Sequence, residues 1–448
     1  MFPDLHGQFV PADAPAGGPD HQAGPPDCAG RSAAPGRGRR PRGSGTAGGR
    51  PVTAPEAEIV IAVHTADRPV RRAVESVLAA APGRVGATVV CHNMDPGPVR
   101  EQLAGLPETV RLLELADGIP SPAGPFNFGL DQARAGFVGI MGSDDTLEPG
   151  AVSAWLDVAQ ATGAAAVIAP VRYRGGARIL TPRARVFRGP LVDPLRDRLA
   201  YRTAPLGLIR REALNRLGLR LRQGLRTGED LEFGLRLWFS GERIAYPAHA
   251  PAYLVGQDAD ERVTSAVLPL DTQFQDVTGL VSGAWFPALP AAQREAIAVK
   301  LLRGHVISAA VRRGGEFVWG AEDRKAISAV VRSLTAAAPG APHLLSAPDE
   351  RLLLALRDAV SGTDIAAEVR RRAAAGALQR TFTRRWLANL RREAPLRTNL
   401  NSLIFSAASR LHGMLPTARA AAAGAATSGA PAPAPAPAPD RTDGRQPR

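Results

Sequence analysis

Glu58-Ile-Val-Ile-Ala-Val63 is an unbroken apolar, largely β-branched run after one acid. Such a run suits a strand buried on both faces of a sheet. Pro69 follows and can open a helix, since its missing N–H is unsatisfied in a first turn anyway. Val70, Ala73, Val74, Val77 and Leu78 then fall at i, i+3, i+4, i+7 and i+8, one apolar stripe. Pro82-Gly83 closes that helix, and Ala87-Thr-Val-Val-Cys91 reads as a second strand. Strand, helix and strand in this order imply a right-handed parallel crossover. Ligands of such sheets bind beyond the carboxyl ends of the strands. The loops His64–Arg68 and His92–Asp95 are therefore the first places to look for function.

A third strand end carries more chemistry. Ala135-Gly-Phe-Val-Gly-Ile-Met141 is another buried-strand run, and Gly142-Ser143-Asp144-Asp145 follows it. Pro149-Gly150 then leads into a helix with Val152, Trp155, Leu156 and Ala159 on one face. Adjacent carboxylates at a strand end repel unless solvated or paired with a cation. Mg²⁺ or Mn²⁺ carrying substrate phosphates would relieve that repulsion, because both ions favour oxygen ligands. The plainer alternative is that the two acids shape the turn before the next helix. A second acidic pair, Glu229-Asp230, stands in Arg226-Thr-Gly-Glu-Asp-Leu-Glu-Phe233. Leu231, Gly234, Leu235, Trp238 and Phe239 form a helical stripe after it, which puts both acids in the first turn. Acids there also serve as ordinary caps that answer the helix dipole.

Composition divides the chain. Residues 1–55 are rich in Pro, Gly and Ala without apolar period, as expected of a disordered extension. Residues 56–265 alternate strand and helix patterns, 266–420 are almost wholly helical in pattern, and 421–448 form a Pro/Ala-rich tail expected to be disordered and extended. The net charge of +13 is unevenly placed. Residues 370–448 hold fourteen Arg against Glu393, Asp440 and Asp443, residues 1–55 net +2, and the span between is neutral. A nucleic-acid-binding role for the middle of the chain gains nothing from that distribution. Two cysteines, Cys28 and Cys91, exclude a disulfide framework and fit a cytoplasmic setting. Neither a signal peptide nor an 18-residue apolar span is legible.

The order of these features resembles the family 2 glycosyltransferases, which have the GT-A fold. The stretches IVIAVHTADRPVRRAVESVLA, VGIMGSDDTLEPGAV and TGEDLEFGLRLWFSG carry the resemblance, in the family's order and spacing. It implies an α/β, GT-A type nucleotide-sugar-binding domain with a mostly parallel central sheet, followed by a mainly α-helical region. It further implies an inverting transfer of sugar from a nucleotide-diphosphate sugar donor to an acceptor hydroxyl, in cell-surface polysaccharide or glycoconjugate synthesis. His64, Thr65 and Asp67 would line the nucleotide pocket, with His92 and Asn93 where the family usually has acids. Asp144 would contact the donor and Asp145, with Asp144, the Mn²⁺ or Mg²⁺ ion. Asp230, with Glu229 beside it, would be the general base. Arg262 is the nearest candidate to close over the diphosphate. Gly142 stands in place of the family's usual first acid, and Pro125-Phe126-Asn127 in place of an Ala-Arg-Asn.

Arg370 to Leu415 sets Arg clusters beside Phe382, Trp386, Leu390, Leu403, Ile404 and Phe405. Such a segment suits peripheral contact with an anionic membrane through residues 370–419, on its inner face, and a glycan or lipid-linked acceptor there. A helical hairpin burying those apolar side chains is the alternative. Two other readings of the catalytic span are a degenerate transferase acting as a scaffold and a nucleotidyltransferase. The second usually has a Gly-rich loop after the first strand, and HTADRPVRR has no glycine.

Overall fold

The structure is a computed structural model. It describes residues 54–400 and 404, apart from 175, 177, 180, 183–184, 186–188, 257–267 and 359–360. The N-terminal extension up to residue 53, Arg262 and the Pro/Ala-rich tail lie outside the described residues.

The first strand, β1 (Ala57–Val63), is followed by α1 (Val70–Ala80), β2 (Val85–His92), α2 (Gly97–Gln102), β3 (Val110–Leu115), α3 (Ala123–Gln132) and β4 (Phe137–Gly142). Strands β1 to β4 pair in parallel, in the order β3-β2-β1-β4. The crossover follows the sequence pattern closely: Val70, Ala73, Val74 and Val77 of α1 are all buried. Beyond β4 come β5 (Thr146–Leu147), α4 (Ala151–Thr162), β6 (Ala166–Ile168), β7 (Val171–Tyr173), β8 (Arg178–Ile179) and β9 (Leu191–Val192). They are followed by β10 (Gly207–Arg210), α5 (Arg211–Arg216), α6 (Leu231–Trp238), β11 (Ile244–Ala245) and β12 (Tyr253–Val255). Strands β10, β6, β11 and β9 extend the central sheet to eight strands, entering antiparallel at β4–β10. A smaller sheet, β5-β12-β7-β8, stands beside it.

Two hydrophobic cores flank the central sheet. One packs α1 and α4 with Trp155 and Leu156 against the sheet. The other begins under α3, where Gly129 lies so close to β1 that a Cβ would stand 2.3 Å from Val60 Cγ1. That second core continues through α6 into the C-terminal helices as far as Val369.

Those helices are α7 (Leu270–Gln273), α8 (Gln275–Ser282), α9 (Trp285–Ala288), α10 (Ala291–Leu301), α11 (Ser308–Arg313), α12 (Ala321–Ala337), α13 (Ala347–Asp358), α14 (Gly362–Ala374) and α15 (Ala377–Thr381). A π-helical turn, Leu302–Ile307, joins α10 to α11. The mostly parallel sheet and helical C-terminal region are the architecture the sequence pattern implies. The terminal segment departs from a simple hairpin. Trp386 (73%), Leu387 (66%) and Leu390 (61%) are exposed, whereas Asn389, Glu393, Ala394 and Thr398 are buried. Arg303 donates to the Glu393 carbonyl and Arg198 to that of Arg392, so the backbone of this segment is tied into the fold.

Candidate functional site

The acids at the end of β4 are held by two different surroundings. Asp145 Oδ2 accepts from the Tyr253 hydroxyl at 2.5 Å and Oδ1 from the Gly256 amide at 2.7 Å. Pairing of β12 with β5, Tyr253 opposite Leu147, brings that tyrosine under the acid. The tyrosine hydroxyl in turn accepts from the Gly142 amide at 3.1 Å. Burial and the neighbouring carboxylate of Asp145 push the phenol well above its ordinary range, so it remains a donor. Asp144 instead faces Arg68, whose Nη1 lies 3.4 Å from Oδ2. Its carbonyl accepts from Arg72 at 3.2 Å and Arg174 at 3.4 Å. Gly142 has a packing reason to lack a side chain. A Cβ there would stand 2.7 Å from Asp145 Oδ2 and 3.2 Å from Asp144 Oδ1.

The loops after β1 and β2 reach the same end of the sheet. His64, Thr65 and Asp67 are exposed in the first loop. Burial first, then Arg68 and His92, lower the His64 pKa, while Asp144 opposes them, so these groups share one electrostatic neighbourhood. His92 is buried, and its Nε2 lies 2.8 Å from Asp117 Oδ1 and 3.0 Å from the Asn93 amide nitrogen. Asn93 adopts φ +54 and accepts from the Gly118 amide at 2.9 Å. The Asp117 carboxyl is held below its usual range by the Ile119 amide and by His92 and Asn93. Asp117, just past β3, completes this corner and has no signal in the sequence beyond its place after a strand.

Glu229 and Asp230 do not occupy the first helical turn. α6 starts at Leu231, Asp230 is its N-cap residue with αR backbone, and its side chain makes no capping hydrogen bond. Gly228, at φ +81, turns the chain immediately before the pair. Gly234 lets α6 approach closely, since a Cβ there would stand 2.2 Å from the Thr203 carbonyl. Both acids are half-buried and therefore still reach solvent. Burial raises both carboxyl groups above their ordinary range; for Asp230, Lys300 and Arg202 pull the other way.

Residues 58–218 match the model of glycosyl transferase family 2. That segment is a family 2 glycosyltransferase domain. TarS of S. aureus, residues 1–349 in complex with UDP-GlcNAc, resembles this chain with TM-score 0.60 at 15% identity, covering 71% of this chain and 92% of that one. The same protein in complex with UDP gives TM-score 0.58 at 14% identity, covering 72% and 93%. At that identity the likeness shows the fold, and its coverage extends past the family 2 segment. No curated protein matches the chain.

Sequence reasoning missed Tyr253, Arg68 and Asp117. Arg68 lies within the quoted first motif, but its partner Asp144 is 76 residues away. Tyr253 carries no local signal at all. Pro125-Phe126-Asn127 lies in α3, where buried Asn127 exchanges two hydrogen bonds with the Leu221 backbone, at 2.8 and 2.9 Å. It braces the segment leading to Glu229 and Asp230.

Proposed function

We propose that this chain is an inverting glycosyltransferase that moves a sugar from a nucleoside-diphosphate sugar to an acceptor hydroxyl. The observation that carries the reading is the uncapped, half-open Asp230 on a domain whose Asp144–Asp145 pair terminates β4. An acid serving as an ordinary cap would use its oxygens on the helix N–H groups, and Asp230 does not. Its raised pKa keeps it basic enough to take a proton from an acceptor hydroxyl, with Glu229 adjoining. One base and a single in-line displacement at the anomeric carbon lead to inversion.

The donor would lie across the ends of β1, β2 and β4. His64, Thr65, Asp67 and the His92–Asn93 corner would receive the nucleoside, and Asp144 with Arg68 the ribose and phosphate side. TarS binds UDP and UDP-GlcNAc, which makes UDP the first nucleotide to test. Among the described residues no group of three or more His, Cys, Asp and Glu converges. Asp144 and Asp145 nevertheless fit Mn²⁺ or Mg²⁺, because such ions are held by one or two carboxylates together with substrate phosphates. Tyr253 and Gly256 orient the Asp145 carboxylate, a group with about four lone-pair sites in all. When bound, the ion would neutralise charge on the departing diphosphate.

The acceptor we assign to a glycan or lipid-linked glycoconjugate at the inner face of a membrane, in surface polysaccharide or glycoconjugate synthesis. Exposed Leu378, Trp386, Leu387 and Leu390 are interspersed along the chain with exposed Arg380, Arg384, Arg385 and Arg391. Anionic lipid complements both properties. Among the described residues no helix is long and apolar enough to cross a membrane, so the contact would be peripheral.

A panel of nucleoside diphosphates with and without Mn²⁺, read by thermal shift, tests the reading. A ligand at 100 times its dissociation constant should add about 2.7 kcal/mol. Stabilisation by none of them would leave the domain a scaffold that has lost its donor site.

A further inference from the structure

Three arginines from separate parts of the chain meet at Asp144. Arg68 lies in the loop after β1, and its Nη1 is 3.4 Å from Asp144 Oδ2. Arg72 stands in the first turn of α1, and its Nη2 donates to the Asp144 carbonyl at 3.2 Å. Arg174 follows β7, and its Nη2 donates to the same carbonyl at 3.4 Å. The small sheet carries Arg174 there. Tyr173 pairs with Val255 across β7 and β12, and the Arg174 amide donates to the Val255 carbonyl at 3.2 Å. Gly256, the next residue, allows the close approach, since a Cβ there would stand 2.2 Å from the Asp144 carbonyl oxygen.

Adjacent carboxylates at the end of β4 need a cation, and these guanidinium groups supply it. Three of them stand around the acid pair Asp144 and Asp145. Arg172 leaves that balance unchanged, because its Nη1 pairs with Glu148 Oε1 at 3.1 Å. The donors on Asp145, the Tyr253 hydroxyl and the Gly256 amide, are neutral. Positive charge is therefore in excess around the two acids, and an anion relieves it. All three arginines are open to one: Arg174 is exposed, and Arg68 and Arg72 are half-buried. A guanidinium meets phosphate oxygens through paired N–H donors set in a planar fork. Arg72 and Arg174 touch one oxygen and so stand side by side, as two neighbouring phosphoryl groups would require.

We propose that Arg68, Arg72 and Arg174 form a cationic seat for the donor's diphosphate and hold it without a divalent ion. The inference rests on the reading of the β4 end as the donor site. An ion on Asp144 and Asp145 would strengthen a binding that the arginines already provide. The seat also selects its ligand by charge, preferring a nucleoside diphosphate to a monophosphate or a bare nucleoside.

Calorimetry on the full chain in the presence of a chelator tests this, with UDP, UMP, uridine and inorganic pyrophosphate as probes. Pyrophosphate presents the charge without a base. Wild-type protein should bind pyrophosphate, and should bind UDP more tightly than UMP and UMP more tightly than uridine. Arg174→Met and Arg68→Met should each weaken UDP and pyrophosphate about tenfold or more, the scale of a hydrogen bond to a charged group. Arg71→Met is the control. It removes the same charge from α1, but Arg71 pairs with Glu75 at 2.8 Å, and UDP affinity should stay within about twofold. If Arg68→Met does not fold, Arg174→Met, at an exposed position, decides alone. UDP binding that appears only with Mn²⁺ would overturn the proposal and leave the donor site in place. Equal loss in Arg71→Met, or UDP bound no more tightly than uridine, would overturn it too. Binding of no nucleotide with or without Mn²⁺ would instead overturn the reading of the donor site.

Discussion

Tyr253 donates its hydroxyl hydrogen to Asp145 Oδ2 over 2.5 Å, across 108 residues of chain. The bond crosses from the small sheet to the end of the central one, so the two sheets meet at the proposed metal ligand. Removing the hydroxyl by Tyr253→Phe takes a donor from Asp145 Oδ2 and deprives the Gly142 amide of the tyrosine oxygen. A hydrogen bond to a charged group contributes about 1.5–3 kcal/mol. Affinity for a nucleoside diphosphate with Mn²⁺ should fall about tenfold or more by calorimetry. Unchanged affinity would mean that Asp145 needs no such orientation.

Asp145→Ala should abolish metal-dependent nucleotide binding and leave far-UV circular dichroism unaltered. If affinity and the response to a chelator both match the wild type, Asp145 is not a metal ligand.

Gly142→Ala should weaken the same binding from the other side. The new methyl would meet both carboxylates, Asp145 at 2.7 Å and Asp144 at 3.2 Å. Contacts under 3 Å force one group to move, and the acids are the movable ones. Wild-type affinity in this variant would show that their placement tolerates such a shift.

Asp230→Asn should cut turnover by about 10² or more while donor binding changes only a few-fold. Its effect on stability has a definite sign. Burial raises this carboxyl in the folded state, so folding favours the protonated form and the charge costs stability once pH exceeds the folded pKa. Asn removes that cost, and the melting temperature near pH 8 should not fall. For the same reason wild-type activity should decline as pH drops through a midpoint above the ordinary carboxylate range. A lower melting temperature with full turnover would make Asp230 a cap after all. Equal loss from Glu229→Gln, with Asp230→Asn active, would move the base one residue earlier.

Trp386→Ser combined with Leu390→Ser should abolish co-sedimentation with anionic vesicles and leave the melting temperature within about 1 °C, because both side chains already face solvent. Wild-type protein should bind less as salt rises. Equal binding to neutral vesicles, or none to either kind, would remove the membrane reading. Truncation before residue 370 is a poorer probe. It would strip the buried Asn389, Glu393 and Thr398 from the fold and take the Glu393 carbonyl from Arg303 and the Arg392 carbonyl from Arg198.

Local pattern determined much of this protein. The β1–α1–β2 crossover, the strand ending at Gly142 and the stripe of α6 follow from side-chain periodicity, which sets which face of each element must be buried. The acids Asp144, Asp145, Glu229 and Asp230 could be found because each lies where an element starts or ends, and such positions are legible along the chain. The pattern put both acids in the first turn of α6, but the helix starts at Leu231, because Gly228 takes φ +81 and turns the chain before the acids can join it. What only the tertiary structure decided is which groups surround those acids. Tyr253 reaches Asp145 through strand pairing, and Arg68 reaches Asp144 because neighbouring parallel strands end at the same edge. Contacts between residues 70 to 110 positions apart leave no trace in a periodic pattern. Periodicity reports a residue's own face, and the partner on the facing element is chosen only when the layers close.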